Sequence, residues 1–208
     1  MIIDDIELSE LLTVKICHDL SGPVGAVNNG TELLKEGSEY VHDKSIELIE
    51  GSARDAIDRI LFFRSAYGSG RSSSETTIET LQKLSVGFFR QKNIEIDWQV
   101  DGAVSSLSNE YAKIGLNLLI LLSSILISGG KISIKIIRNN KKFEFETECI
   151  GDSIKKDVEG LNIATGKDKE PIVTVHNVQS YLTLRLLQRS KMKAKYNIND
   201  GSVELKAA

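Results

Sequence analysis

Apolar residues recur along the first third of the 208-residue chain at spacings of three and four, the period that lines up one face of an α-helix. Leu12, Ile16, Leu20, Pro23, Val27 and Leu34 make one such seam and predict a helix over about residues 5–36, which Gly37-Ser38 breaks. A second seam, Ile46, Ile49, Ala53, Ala56, Ile60, Phe63 and Tyr67, alternates threes and fours throughout. It predicts a helix over about residues 41–67 with a heptad stripe. Two helices joined by so short a loop form an antiparallel hairpin, which alone covers part of its apolar surface. Pairing with a second copy completes a four-helix bundle, so a homodimer through the hairpin is expected.

Tyr67-Gly68-Ser69-Gly70-Arg71-Ser72-Ser73-Ser74 is rich in Gly and Ser and poor in apolar residues, and reads as a linker between segments 1–70 and 75–208. Beyond it the rhythm changes. Ile78, Leu81, Leu84 and Phe88 predict a helix, and Ile94 to Val100 alternates as a half-buried strand. Ser108 stands where it would cap an apolar helix from Asn109 to about Ile127, ended by Gly129-Gly130. Lys131 to Arg138 and Lys141 to Ile150 alternate around Asn139-Asn140, a pair suited to a tight hairpin turn. Residues 151–170 are irregular and polar, a helix covers about Val175 to Arg189, and strands at about 193–199 and 202–206 flank Asp200-Gly201. The whole is an α+β chain. A helical hairpin precedes a sandwich with helices over one face of a mostly antiparallel sheet.

Composition narrows the function. A net charge of −3, with Lys and Arg scattered along the chain, argues against a general nucleic-acid binder. Cys17 and Cys149 are far apart without metal-like spacing, which suits a reducing cytoplasm rather than a disulfide scaffold. The start, Met1-Ile2-Ile3-Asp4-Asp5, carries no positive region ahead of an apolar one, so a secretory signal is not expected. The most apolar run, Ile114 to Ile127, is interrupted by Asn117, Ser123 and Ser124 and is too short to span a membrane.

One histidine stands out by its phase. His18 lies two residues from both Ile16 and Leu20, so it points away from the first seam. Gly22 and Gly25 follow it on the same face, with Val14 and Lys15 about one turn before. Helix-interior glycine costs about 1 kcal/mol relative to alanine, so these glycines point to close approach by another protein, with a bare kink of the helix at Gly22-Pro23 as the alternative. His42 and His176 have no comparable surroundings and read as surface residues.

The run His18-Asp19-Leu20-Ser21-Gly22-Pro23 resembles the phosphoacceptor box of histidine-kinase dimerisation domains, where an acid follows the histidine and proline sits five positions after it. The wider run, Cys17-His18-Asp19-Leu20, Gly22-Pro23, Gly25 to Gly30 and Glu32-Leu33, more closely resembles the ChpT-type histidine phosphotransferases of bacterial phosphorelays. That likeness extends along the whole chain. It implies a dimeric hairpin carrying the phosphoryl group and a second domain shaped like a kinase ATP-binding domain without its function.

The residues of the second segment bear on that implication. Leu116 to Leu122, followed by Gly129-Gly130 and a strand, resembles the asparagine box of kinase ATP domains, with Leu121 at the metal-binding asparagine. Cys149 falls where kinases carry the adenine-reading aspartate, Ser153 where they carry a second glycine, and Val178 to Tyr181 lacks the later glycines. Such a phosphate cradle needs close backbone approach. ATP hydrolysis and autophosphorylation are therefore not expected, which leaves an ATP-using kinase as the weaker alternative.

The resemblance then implies a relay. Neutral His18 accepts a phosphoryl group from a phosphoaspartate on the receiver domain of a hybrid histidine kinase, and the receiver of a response regulator takes it onto its own aspartate. The receiver is expected to bring Mg²⁺, so this chain needs no cofactor or metal of its own. Asp19 supports the histidine, although neighbouring helical residues diverge by about 100° and a direct contact does not follow from sequence. Val14, Lys15, Ser21, Gly22 and Gly25 are the expected docking residues. A noncatalytic dimeric scaffold for receiver domains is the reading from another class.

Overall fold

The computed structural model describes residues 3–36, 39–68, 75–102, 104–139, 142–155 and 157–208. Helix α1 (Asp5–Glu36) starts where the Asp4 carboxylate accepts hydrogen bonds from the backbone N–H groups of Ile6 and Glu7, both at 2.8 Å. Helix α2 (Glu39–Tyr67) packs against it as the hairpin predicted from the seams. The two backbones come close at Gly30, where an added Cβ would sit 2.6 Å from Ile49 Cγ1 and 3.3 Å from the Ser45 carbonyl oxygen. Residues of the expected linker, 69–74, lie outside the described residues.

The second part is a helix-covered sheet. Strand β1 (Glu75–Thr77) leads into α3 (Ile78–Phe89), which a single 3-10 turn (Arg90–Lys92) closes before β2 (Ile94–Val100). Strand β3 (Ser106–Ser108) pairs with β1, and α4 (Asn109–Ser123) follows. Strands β4 (Gly130–Asn139) and β5 (Lys142–Ile150), helices α5 (Glu159–Ala164) and α6 (Val178–Arg189), and strands β6 (Ala194–Asn199) and β7 (Ser202–Ala207) complete the chain. The five-stranded sheet runs β2-β4-β5-β7-β6, antiparallel except for the β2–β4 pair. Ile132, Ile134, Ile136, Phe145, Val203 and Leu205 line the face beneath the helices and are buried. The opposite face carries charged cross-strand pairs such as Lys131 with Glu95 at 2.8 Å and Lys206 with Glu146 at 2.9 Å.

Four local expectations need correction. Helix α4 ends at Ser123 rather than near Ile127, and Ser108 occupies its N-cap position without a side-chain capping hydrogen bond. Gly129 and Gly130 instead shape the entry to β4. Both have positive φ, and a Cβ at Gly129 would meet the Asn93 carbonyl oxygen at 2.4 Å. In the β4–β5 hairpin, Asn139 is paired with Lys142 and so belongs to the strand rather than to the expected turn, whose other residue, Asn140, lies outside the described residues. The segment taken as irregular contains α5, whose Leu161, Ile163 and Ala164 are buried.

The hairpin is braced by this second layer along the C-terminal half of α2. Phe62 is fully buried and stacks on Phe88 with ring centroids 4.1 Å apart, while Phe63 meets Phe88 edge-on. A buried polar chain adds direction. Tyr67 Oη donates to Gln179 Oε1 and Gln179 Nε2 to Asn117 Oδ1, both at 2.5 Å, and Asn117 Nδ2 donates to the Ala66 carbonyl at 3.0 Å. The asparagine thus bonds a carbonyl in the last turn of α2. At the other end, Ile3 and Leu8 pack with Ile163, Val178 and Tyr181, and Arg185 pairs with Asp5 at 3.0 Å.

Because Gly30 is a point of backbone contact, Gly30→Leu should cost about 1–3 kcal/mol by overpacking the α1–α2 joint, measured by urea unfolding.

Candidate functional site

Helix α1 presents its seam inward, with Pro23 buried and Leu12, Ile16, Leu20 and Val27 half-buried, which turns the opposite face to solvent. His18 is on that face with its side chain 82% exposed. Its Nδ1 lies 3.2 Å from Asp19 Oδ1, so the contact that helical geometry alone did not guarantee is made. The Asp19 carboxylate spans two partners, because Lys15 Nζ reaches its other oxygen at 3.1 Å. Lys15 and Asp19 are far less exposed than the histidine they flank. A carboxylate at Nδ1 favours the tautomer with the proton there and leaves the lone pair on Nε2.

The other expected docking residues fall around this point. Val14 is 53% exposed, an apolar side chain left uncovered one turn before the histidine. Ser21 Oγ donates to the His18 carbonyl at 2.7 Å, so its hydroxyl is engaged with the helix itself. An added Cβ at Gly22 or Gly25 would meet no described atom within 4 Å. Neither glycine is required by packing within the chain, unlike Gly30, and each leaves a shallow gap on the histidine's side of α1.

Three residues that sequence reasoning passed over also belong here. Arg59 of α2 donates through Nη1 to the Asp19 carbonyl at 3.3 Å and through Nε to Asp55 Oδ2 at 3.0 Å. Lys92, in the 3-10 turn after α3, places its ammonium 5.0 Å from the centre of the Phe88 ring and 5.6 Å from that of Phe89. Burial of that ammonium, and next the Arg59 charge, hold the Lys92 pKa below its ordinary value, while Asp19 opposes the shift. The positive charges of Lys15 and Arg59 thus lie at Asp19, and that of Lys92 is near enough to feel its carboxylate. One signal was available, since Pro23 removes the N–H that would bond the Asp19 carbonyl, but the sequence does not say which group replaces it.

Of the positions matched to a kinase nucleotide site, Ser153 is exposed and the segment Val178 to Tyr181 is buried. Leu121 and Cys149 are buried in the core. Gly160 of α5 lies close to α6 and α4, where an added Cβ would stand 2.8 Å from Ser180 Oγ and 3.6 Å from Leu121 Cδ1. Among the described residues, no group of three or more His, Cys, Asp or Glu side chains is placed to hold a metal ion, and no helix is long and apolar enough to cross a membrane.

An exposed histidine on a helical hairpin, bonded through Nδ1 to the carboxylate of the next residue, has a free Nε2 on which a phosphoryl group can be carried. Comparison with known proteins agrees. Residues 78–202 match the model of the histidine phosphotransferase C-terminal domain. The chain is 32% identical to the protein phosphotransferase ChpT of Brucella abortus (strain 2308) over 190 residues, covering 90% of this chain and 88% of that one. A solved structure of a bacterial phosphotransferase superposes with a TM-score of 0.87 at 27% identity, covering 100% of this chain and 98% of the other. The chain belongs to the histidine phosphotransferase family and acts in a phosphorelay.

The two thiols should separate by environment. Burial pushes the Cys149 thiol up to about 11, whereas Cys17 is exposed. At pH 8 a thiol stays protonated when its pKa lies that far above, so a thiol-specific reagent should modify Cys17 quickly and Cys149 only on unfolding, counted by mass spectrometry.

Proposed function

We propose that His18 is the phosphoacceptor of this phosphotransferase, taking the phosphoryl group from the receiver domain of a hybrid histidine kinase and yielding it to the receiver of a response regulator. The observation that carries the reading is an exposed imidazole whose Nδ1 is held by Asp19, leaving Nε2 as the nucleophile. The Nε2 lone pair attacks phosphorus, the bond from phosphorus to the receiver's aspartate oxygen breaks, and the carboxylate leaves with the electron pair. Asp19 keeps the proton on Nδ1 and balances the imidazolium charge that develops during transfer. The receiver supplies Mg²⁺ to neutralise the phosphoryl oxygens. This chain's part is to present the ring on a rigid helix, in a position the partner can reach.

Gly22 and Gly25 leave the space into which a receiver helix would pack, with Val14 as an apolar contact and Lys15 and Ser21 at its edge. The enclosed space around Leu121, Cys149 and Gly160 supports a chain that takes its phosphoryl group from a protein rather than from ATP. The setting is the cytoplasm, where receivers and their kinases' catalytic parts reside.

The deciding experiment uses a panel of phosphorylated receivers from the same cell. Wild type should acquire acid-labile, base-stable label from at least one of them, His18→Ala should acquire none, and Asp19→Asn should slow transfer by about 10²-fold or less, as expected for a group supporting the nucleophile. Labelling of His18→Ala would overturn the assignment. Wild type that binds receivers without label would favour the scaffold, and label taken from ATP alone would favour the kinase.

A second copy of the chain is the proposed partner of the hairpin. Ile46, Ile57 and Ile60 on α2 and Val24 on α1 are 37%, 56%, 50% and 57% exposed, more apolar surface than a lone hairpin needs to show. Sedimentation should give a dimer, and Ile57→Asp with Ile60→Asp should give a monomer.

A further inference from the structure

In an α-helix the N–H of residue 23 would bond the carbonyl of residue 19. Residue 23 is proline, yet α1 runs on unbroken from Asp5–Glu36, so the Asp19 carbonyl loses its helical donor one residue after the histidine. A carbonyl at this depth needs a replacement. It is supplied from the other helix of the hairpin, 40 residues away, by Arg59 Nη1 at 3.3 Å.

The guanidinium is itself aimed. Arg59 Nε donates to Asp55 Oδ2 at 3.0 Å, one turn earlier on α2, with the two side chains only 18% and 12% exposed. Among the described residues the second oxygen of Asp55 is buried without a hydrogen-bond partner, so Arg59 is the cation hydrogen-bonded to this carboxylate. The fork of the guanidinium suits the double duty, because its separate N–H groups can serve a carboxylate and a carbonyl at once.

From Arg59 the path to the nucleophile is short. Holding the Asp19 carbonyl fixes the backbone from which the Asp19 side chain springs, and that side chain, gripped by Lys15, bonds His18 Nδ1. We propose that Arg59 is a positioning residue for phosphotransfer, bonding the Asp19 carbonyl that Pro23 leaves without a donor and so fixing the orientation of the His18 ring. The inference rests on the reading of His18 as phosphoacceptor.

Pro23 provides the test. If Arg59 acts by replacing the missing donor, restoring that donor should make it dispensable. Initial rates of transfer from a phosphorylated receiver are compared for wild type, Arg59→Lys, Pro23→Ala and the double variant. Lysine keeps a charge for Asp55 but loses the fork, and thermal melts confirm that each variant folds. Arg59→Lys should slow transfer by about tenfold in the presence of Pro23, and by less than about threefold when residue 23 is alanine. Equal slowing in both backgrounds, or none in either, would overturn the proposal.

Failure of the phosphoacceptor reading is seen separately, as wild type that takes no label on His18. In that event the His18 ring signals in NMR still decide. A change on Arg59→Lys that disappears with Pro23→Ala upholds positioning of the ring, and identical signals in all four proteins overturn it.

Discussion

The structure hangs on the anchoring of α2 in the second layer. A two-helix hairpin cannot bury both sides of its own helices, and here the C-terminal turns of α2 are driven into the sheet domain, where Phe62, Phe63 and Ala66 join the same core as Phe88, Phe89 and Leu81. The polar chain from Tyr67 through Gln179 and Asn117 to the Ala66 carbonyl then fixes direction as well as proximity. With α2 held, α1 is held against it at Gly30, and the outward face of α1 acquires a defined aspect.

Much of this is legible in the sequence because it is periodic. The seams of α1 and α2, the alternation of β2, β4 and β5, and the outward phase of His18 follow from spacing alone. What escapes is whatever depends on a partner far along the chain. Three-residue strands such as β1 and β3 exist because Glu75 to Thr77 meets Ser106 to Ser108, and neither triplet carries a signal of its own. Helix α5 has six residues, too few for a period, and is stabilised by burying Leu161 and Ile163.

The site divides along the same line. The histidine, its acid and the glycines are local and readable, whereas Arg59 reaches Asp19 only through the register of the hairpin, and Lys92 only through the docking of α3 on α2. The sequence did contain the vacancy, a proline four residues after Asp19. Its filling is tertiary.

The passage of α5 between Leu121 and Ser180 has a bearing on how such a domain carries information. The chain's own backbone fills the space beside those two side chains, where an added Cβ at Gly160 would already meet Ser180 Oγ at 2.8 Å. With His18 read as the phosphoacceptor, a relay member built this way resembles a contact in a circuit, whose state at any moment is written in the occupancy of one side chain.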